Sequence, residues 1–283
     1  MNAPTIPIAS LEIPLACADG HRYMLLARMP ARADGALLWL PALGVAARHY
    51  LPLAEALAAR GIAVFVHEWR GNGSSSLRAS RRQDWGYREL LEQDLPVSHA
   101  EVRRHAPAGT HMIGGHSLGG QLAACYLGQH PQGFARLWLV GSGTPHWRSF
   151  PAPRGWALPF FYQFAPWLAD WRGAFPGRRL GFGGDEARGL IRDWARVGLS
   201  GRYRAAGWDV DLEAGMRQVT ATSRGVLFDD DWLAPASSLR ALLAKLPNSP
   251  HDVTVLHHAA LGTRADHFAW MKQPQAVIDA FLA

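Results

Sequence analysis

At 283 residues, 48% of them hydrophobic, the chain is long enough to bury a large core as one α/β domain with an insertion, and too short for two full domains. Its formal charge of +6 is almost wholly arginine, since Lys245 and Lys272 are the only lysines, and just three arginine doublets occur (81-82, 103-104 and 178-179). Such scatter is solvated surface and argues against nucleic-acid binding, while two distant cysteines, Cys17 and Cys125, argue against a disulfide framework or a zinc site.

The elements follow in order. Leu11 to Cys17 and Arg22 to Met29 read as strands on either side of Ala18-Asp19-Gly20, a hairpin turn of the Asp-Gly type. Ala36 to Leu40 is a continuous apolar run, as in a strand buried on both faces, and leads into Pro41-Ala42-Leu43-Gly44. A helix is expected from about His49 to Ala59, closing at Gly61, and Ile62 to Val66 is the next buried strand. A long helix from about Tyr87 to His105 follows. Pro107-Ala108-Gly109 then breaks the chain before the strand Thr110 to Gly114.

That strand runs into Gly115-His116-Ser117-Leu118-Gly119-Gly120, and Leu118 to Leu127 has the alanine and leucine content of a buried helix, ending near Gly128 with Pro131 beyond. Gly-x-Ser-x-Gly alone is a weak signal. Set between a strand and a helix it marks a serine on a sharp, strained turn, where small neighbours are required. The plainer alternative is that Ser117 only caps the helix.

Phe134 to Val140 is one more strand, after which the alternation stops. From Gly141 to Gly215 six of the twelve tryptophans appear (147, 156, 167, 171, 194 and 208), prolines and glycines intervene, and only Leu190 to Val197 looks cleanly helical. The alternation resumes with strand Gly225 to Phe228, helix Ala236 to Leu246, strand Val253 to Leu256 and helix Gln275 to Leu282. Strands alternating with helices imply a mostly parallel sheet with right-handed crossovers. The expected organisation is a core of residues 1–140 and 216–283 with a tryptophan-rich lid, 141–215, inserted before the last two strands. An ordinary helical excursion packed away from any site is the alternative. Met1 to Ser10 has no charged leader, and no apolar run reaches about 18 residues, so a cytoplasmic chain without stable membrane insertion is expected.

A nucleophilic serine needs a base in hydrogen-bond reach, and the base needs a carboxylate to orient it. The carboxylate is sought in Asp229-Asp230-Asp231, directly after a strand; Asp231, which opens Asp231-Trp232-Leu233-Ala234-Pro235, is favoured over Asp230. The base is sought after the last strand. His257 and His258 point to opposite faces there, so His267, just before the final helix, is favoured. His116 is read as structural or as part of a pocket wall. Backbone N–H donors for an oxyanion are expected from Leu118 and from Leu43.

These stretches resemble the α/β-hydrolase superfamily, in its serine-hydrolase branch of monoacylglycerol-lipase-like and serine-aminopeptidase-like proteins. Arg70-Gly71-Asn72-Gly73-Ser74-Ser75 looks like the family's Arg-Gly-x-Gly-x-Ser turn, Gly115 to Gly120 like its elbow, and Asp231-x-x-x-Pro235 and Asp266-His267-Phe268 like its acid and base loops. One departure is Pro41-Ala42, where many members carry His-Gly before the oxyanion donor. Arg178 to Gly184 resembles a stretch of uncharacterised bacterial hydrolases. The leading expectation is a serine hydrolase of carboxylic esters working through an acyl-enzyme, with no cofactor and no metal, and the tryptophan-rich lid suggests a small-molecule substrate with an apolar acyl chain or aromatic group. Thioester, amide or carbon–carbon bond hydrolysis would use the same residues, and a non-catalytic binding protein of this fold is the alternative from another class. Oligomeric state is not readable from the sequence.

Overall fold

The computed structural model describes residues 7–106 and 108–283; Met1–Ile6 of the N-terminal segment and Pro107 of the expected break lie outside them. Ten strands occur among these residues: β1 (Ile8–Ala16), β2 (Arg22–Pro30), β3 (Gly35–Leu40), β4 (Ile62–Val66), β5 (Thr110–His116), β6 (Arg136–Val140), β7 (Phe175–Pro176), β8 (Asp185–Glu186), β9 (Thr222–Phe228) and β10 (His251–Leu256). Eight form one sheet in the order β1-β2-β4-β3-β5-β6-β9-β10, with β7 and β8 pairing separately. The first two junctions, β1 with β2 and β2 with β4, are antiparallel, and every later one is parallel.

The Asp-Gly turn closes the first hairpin as expected, with Gly20 at φ 87° and its N–H on the Cys17 carbonyl. β3 and β4 are buried at every residue, as continuous apolar runs require when helices cover both faces. Large side chains fill both layers: Phe65, Leu118 and Tyr126 on one side, Trp39, Trp138 and Trp270 on the other.

Eleven helices accompany the strands: α1 (Leu51–Ala58), α2 (Tyr87–Glu89), α3 (Leu95–His105), α4 (Leu118–Gln129), α5 (Arg154–Arg172), α6 (Gly177–Leu180), α7 (Arg188–Ser200), α8 (Leu212–Met216), α9 (Ala236–Leu243), α10 (His258–Leu261) and α11 (Gln275–Leu282). The short helices α6, α8 and α10 have no counterpart in the sequence reading, and two longer stretches depart from it. The helix expected over Tyr87 to His105 is interrupted by a π turn, Leu90–Asp94, just before Pro96, whose ring cannot donate to an α-helical ladder.

The larger correction lies between β6 and β9. The sequence offers one clear helix there, and the structure has α5 as well, 19 residues long with Pro159 and Pro166 inside it. Tyr162, Ala165 and Ala169 are buried while Trp156, Phe160 and Trp167 are exposed, so aromatic residues stand on both faces and the usual apolar–polar period is erased. The prolines and that all-round aromaticity together hid the helix.

Candidate active site

Four loops at the carboxyl end of the sheet hold the residues singled out above. Ser117 follows β5, the Leu43 loop follows β3, Asp231 follows β9, and His267 follows β10. Open α/β sheets present ligands at this edge.

Ser117 has φ 54° and ψ −120°, and it is the only non-glycine with positive φ among the described residues. Its carbonyl accepts a hydrogen bond from Ser142 Oγ at 2.7 Å, and its N–H donates to the Val140 carbonyl at 3.0 Å, so the strained turn is fixed from both sides. Gly119 explains the rest of the motif. A Cβ there would sit 2.1 Å from the Leu40 carbonyl oxygen and 2.5 Å from that of Pro41, so glycine lets the start of α4 reach the Leu43 loop. The N–H groups of Leu43 and Leu118 find no acceptor among the described residues, and both residues line one cavity with Ser117.

The carboxylate and the imidazole meet. His267 Nδ1 lies 2.6 Å from Asp231 Oδ2, with both residues buried. Asp231 Oδ1 accepts from the N–H groups of Leu233 (2.9 Å) and Ala234 (3.2 Å), leaving its carboxylate little freedom. Asp230 is exposed and only its backbone is engaged, with Ala265. Asp229 pairs at the surface with His257 at 2.6 Å, and His258 is exposed at the start of α10. The structure therefore separates Asp231 and His267 from the neighbours that the sequence left as rivals. No hydrogen bond joins the Ser117 hydroxyl to His267 among the described residues; contacts of this kind tighten around substrate.

His116 is buried beneath this pair, its ring centroid 4.5 Å from that of His267. Burial drives its pKa well below the usual histidine value, so it stays neutral. Tyr50, which sequence reasoning missed, ties it in: the tyrosine oxygen accepts from Ala42 N–H at 2.9 Å and lies 2.9 Å from His116 Nδ1. With Ala42 N–H consumed, Leu43 is left to present the next N–H of that loop.

The cavity has a volume of about 360 Å³ and no acidic or basic side chain among its lining residues apart from His267. Leu158, Phe161, Phe182 and Trp194 of the inserted segment roof it, and Gln121 of α4 reaches it from the core. The segment between β6 and β9 meets the Leu43 loop in close backbone contact: a Cβ on Gly44 would fall 1.9 Å from Gly184 N. Gly184 N–H in turn donates to Glu186 Oε1 at 2.8 Å, and burial pushes the Glu186 carboxyl up to about 7.

A second Ser-His-Asp chain lies elsewhere. His21 Nε2 is 3.0 Å from Ser75 Oγ, and His21 Nδ1 is 3.1 Å from Asp94 Oδ1. Arg70 closes it, with Nε and Nη2 each 2.7 Å from an Asp94 oxygen. Burial alone would raise Asp94, yet the hydrogen bonds from His21 and Arg70 hold it below the usual carboxylate range. Cys17, His21 and Asp94 also form the one group of three potential metal ligands among the described residues. Burial and Asp94 push the Cys17 thiol far up, keeping it protonated, and the Arg70 guanidinium already supplies the positive charge. The cluster fits a structural strut.

Residues 31–196 match the family model described as serine aminopeptidase, S33. The chain belongs to this family. It is therefore a hydrolase of the α/β-hydrolase superfamily, in the serine-hydrolase branch. A non-heme haloperoxidase of Rhodococcus erythropolis is 26% identical over 198 residues, 64% of this chain and 69% of that protein. Among solved structures, a hydrolase from Pseudomonas aeruginosa PA01 superposes with a TM-score of 0.64 at 18% identity, covering 99% of this chain and 98% of the other. A structure from a study of carboxylesterases of Nitrososphaera gargenis gives 0.60 at 16%, covering 98% and 96%. At such identities the structural likeness is one of fold.

Proposed function

We propose that this member of the serine aminopeptidase S33 family is a serine hydrolase of carboxylic esters with apolar acyl or aromatic groups, working through an acyl-enzyme. Ser117 attacks the ester carbonyl carbon while His267 takes its proton, and Asp231 accepts the Nδ1–H and stabilises the imidazolium. The oxyanion receives the N–H groups of Leu43 and Leu118, the latter at a helix N-terminus. Collapse of the intermediate breaks the ester bond, with His267 returning the proton to the departing alcohol. Water, deprotonated by His267, then releases the acid. The scheme calls on no cofactor and no metal. Residues 141–215 act as a lid whose aromatic residues exclude water from the acyl group.

One observation carries the reading: the buried 2.6 Å contact of Asp231 with His267 faces the same apolar cavity as the strained Ser117. The apolar lining on this side of Ser117 favours an apolar acyl or aromatic group. A panel of p-nitrophenyl esters graded by acyl length, beside acyl thioesters and aminoacyl anilides, tests it. Esters are the preferred substrates, and Ser117→Ala lowers kcat/KM by about 10⁴-fold or more. Preference for aminoacyl anilides would overturn the ester assignment, and wild-type turnover by Ser117→Ala would overturn the nucleophile.

A further inference from the structure

The outward face of α5 has no partner among the described residues. Trp156, Phe160, Phe164, Trp167 and Trp171 are between 47 and 75% exposed. At 100° per residue all five lie within about 80° of one another around the helix axis. Trp167 and Trp171 stack with ring planes 6° apart, and Phe164 packs beside Trp167. A contiguous exposed aromatic stripe of this length marks a contact surface.

We propose that this stripe docks the protein on an anionic phospholipid bilayer, with α5 lying in the interface plane. Three features favour a lipid surface over a second copy of the chain. Tryptophan and phenylalanine are the residues that settle at the headgroup boundary. The charge around the stripe is basic: Arg154 and Arg172 stand at its two ends, Arg178 and Arg179 follow, and Asp170, the single acid of α5, is taken up by Arg192. Two stripes packed antiparallel would set Arg154 of one copy against Arg172 of the other, whereas anionic headgroups neutralise both.

The first residue of α5 also reaches the cavity mouth. Arg154 lies over the Trp232 ring at 5.4 Å, and Trp232, Leu180 and Phe268 are at once exposed and part of the cavity lining. No helix among the described residues is long and apolar enough to cross a membrane, so α5 lies on the surface.

Flotation with vesicles of equimolar phosphatidylglycerol and phosphatidylcholine, and of phosphatidylcholine alone, tests the proposal without reference to turnover. The wild-type chain floats with the anionic vesicles and several-fold less with the neutral ones. Trp167→Ser with Trp171→Ser lowers partitioning by about tenfold or more on both. Arg172→Glu lowers it by about fivefold or more on anionic vesicles and little on neutral ones. Far-ultraviolet circular dichroism and the melting temperature confirm each variant's fold, and single Trp167→Ser serves if the double variant does not fold. Absence of flotation with anionic vesicles overturns the proposal, as does flotation that the substitutions leave unchanged. A dimer in sedimentation equilibrium that the tryptophan substitutions dissociate would assign the stripe to a second copy instead.

Discussion

The molecule holds two serine–histidine–aspartate constellations, and their difference shows what separates a strut from a site. In the Ser75–His21–Asp94 chain every polar atom is consumed. Ser75 Oγ accepts from Gly71 and Leu77 N–H, and both Asp94 oxygens are held by Arg70. A proton has nowhere to go, and no substrate can reach it. In the other, Asp231 is held as firmly by two N–H groups and by His267, but the imidazole and Ser117 both border a cavity of about 360 Å³. The same three side chains thus differ at the serine end: Ser75 is hydrogen-bonded to its histidine and enclosed, whereas Ser117 makes no hydrogen bond to His267 and borders the cavity.

That contrast breaks most sharply at the carboxylates. Asp231→Asn is expected to lower kcat by about 10⁴-fold, since an amide facing Nδ1 favours the wrong tautomer, with little change in stability. Asp94→Asn should do the reverse, leaving kcat/KM of the folded protein unchanged. It would cost about 3 kcal/mol in urea denaturation by leaving the Arg70 charge buried with less compensation. Activity lost equally in both variants would erase the distinction between them.

Glu186 bears on how the segment between β6 and β9 is seated against the Leu43 loop. Its folded pKa of about 7 lies above the ordinary value of 4.5, so between these values the unfolded chain releases a proton that the folded chain keeps. Stability from this group is therefore full below the lower value and declines as pH rises through the higher one, by on the order of 3 kcal/mol in all. Glu186→Gln should flatten that part of the decline between about pH 5 and pH 8. An identical slope in both proteins would remove Glu186 from the account. The smallest effect is expected of Ser75→Ala, about 1–2 kcal/mol for the hydrogen bonds lost by His21, Gly71 and Leu77, with hydrolase activity intact.

Sequence reasoning singled out Ser117, Asp231 and His267 and passed over Ser75, His21 and Asp94 as a group, for a physical reason. Ser117, Asp231 and His267 each follow an apolar strand, so period and chain order point at them. Ser75, His21 and Asp94 sit in a turn, a hairpin and a π turn, and only the folded contacts join them. Tyr50 was missed for the same cause, because nothing local marks a hydroxyl that will bridge Ala42 and His116. The choice of Asp231 over Asp230 was legible as a preference, resting on the proline that opens α9. The parallel core was legible throughout, whereas α5 was hidden because its outward face is as aromatic as its inward one.

The most direct test of the open constellation is covalent. A fluorophosphonate probe, followed by peptide mapping, should label the folded protein at Ser117 and leave Ser75 untouched, and Ser117→Ala should abolish the adduct. An unlabelled folded protein, or an adduct that survives Ser117→Ala, would contradict the assignment of Ser117 as an activated nucleophile.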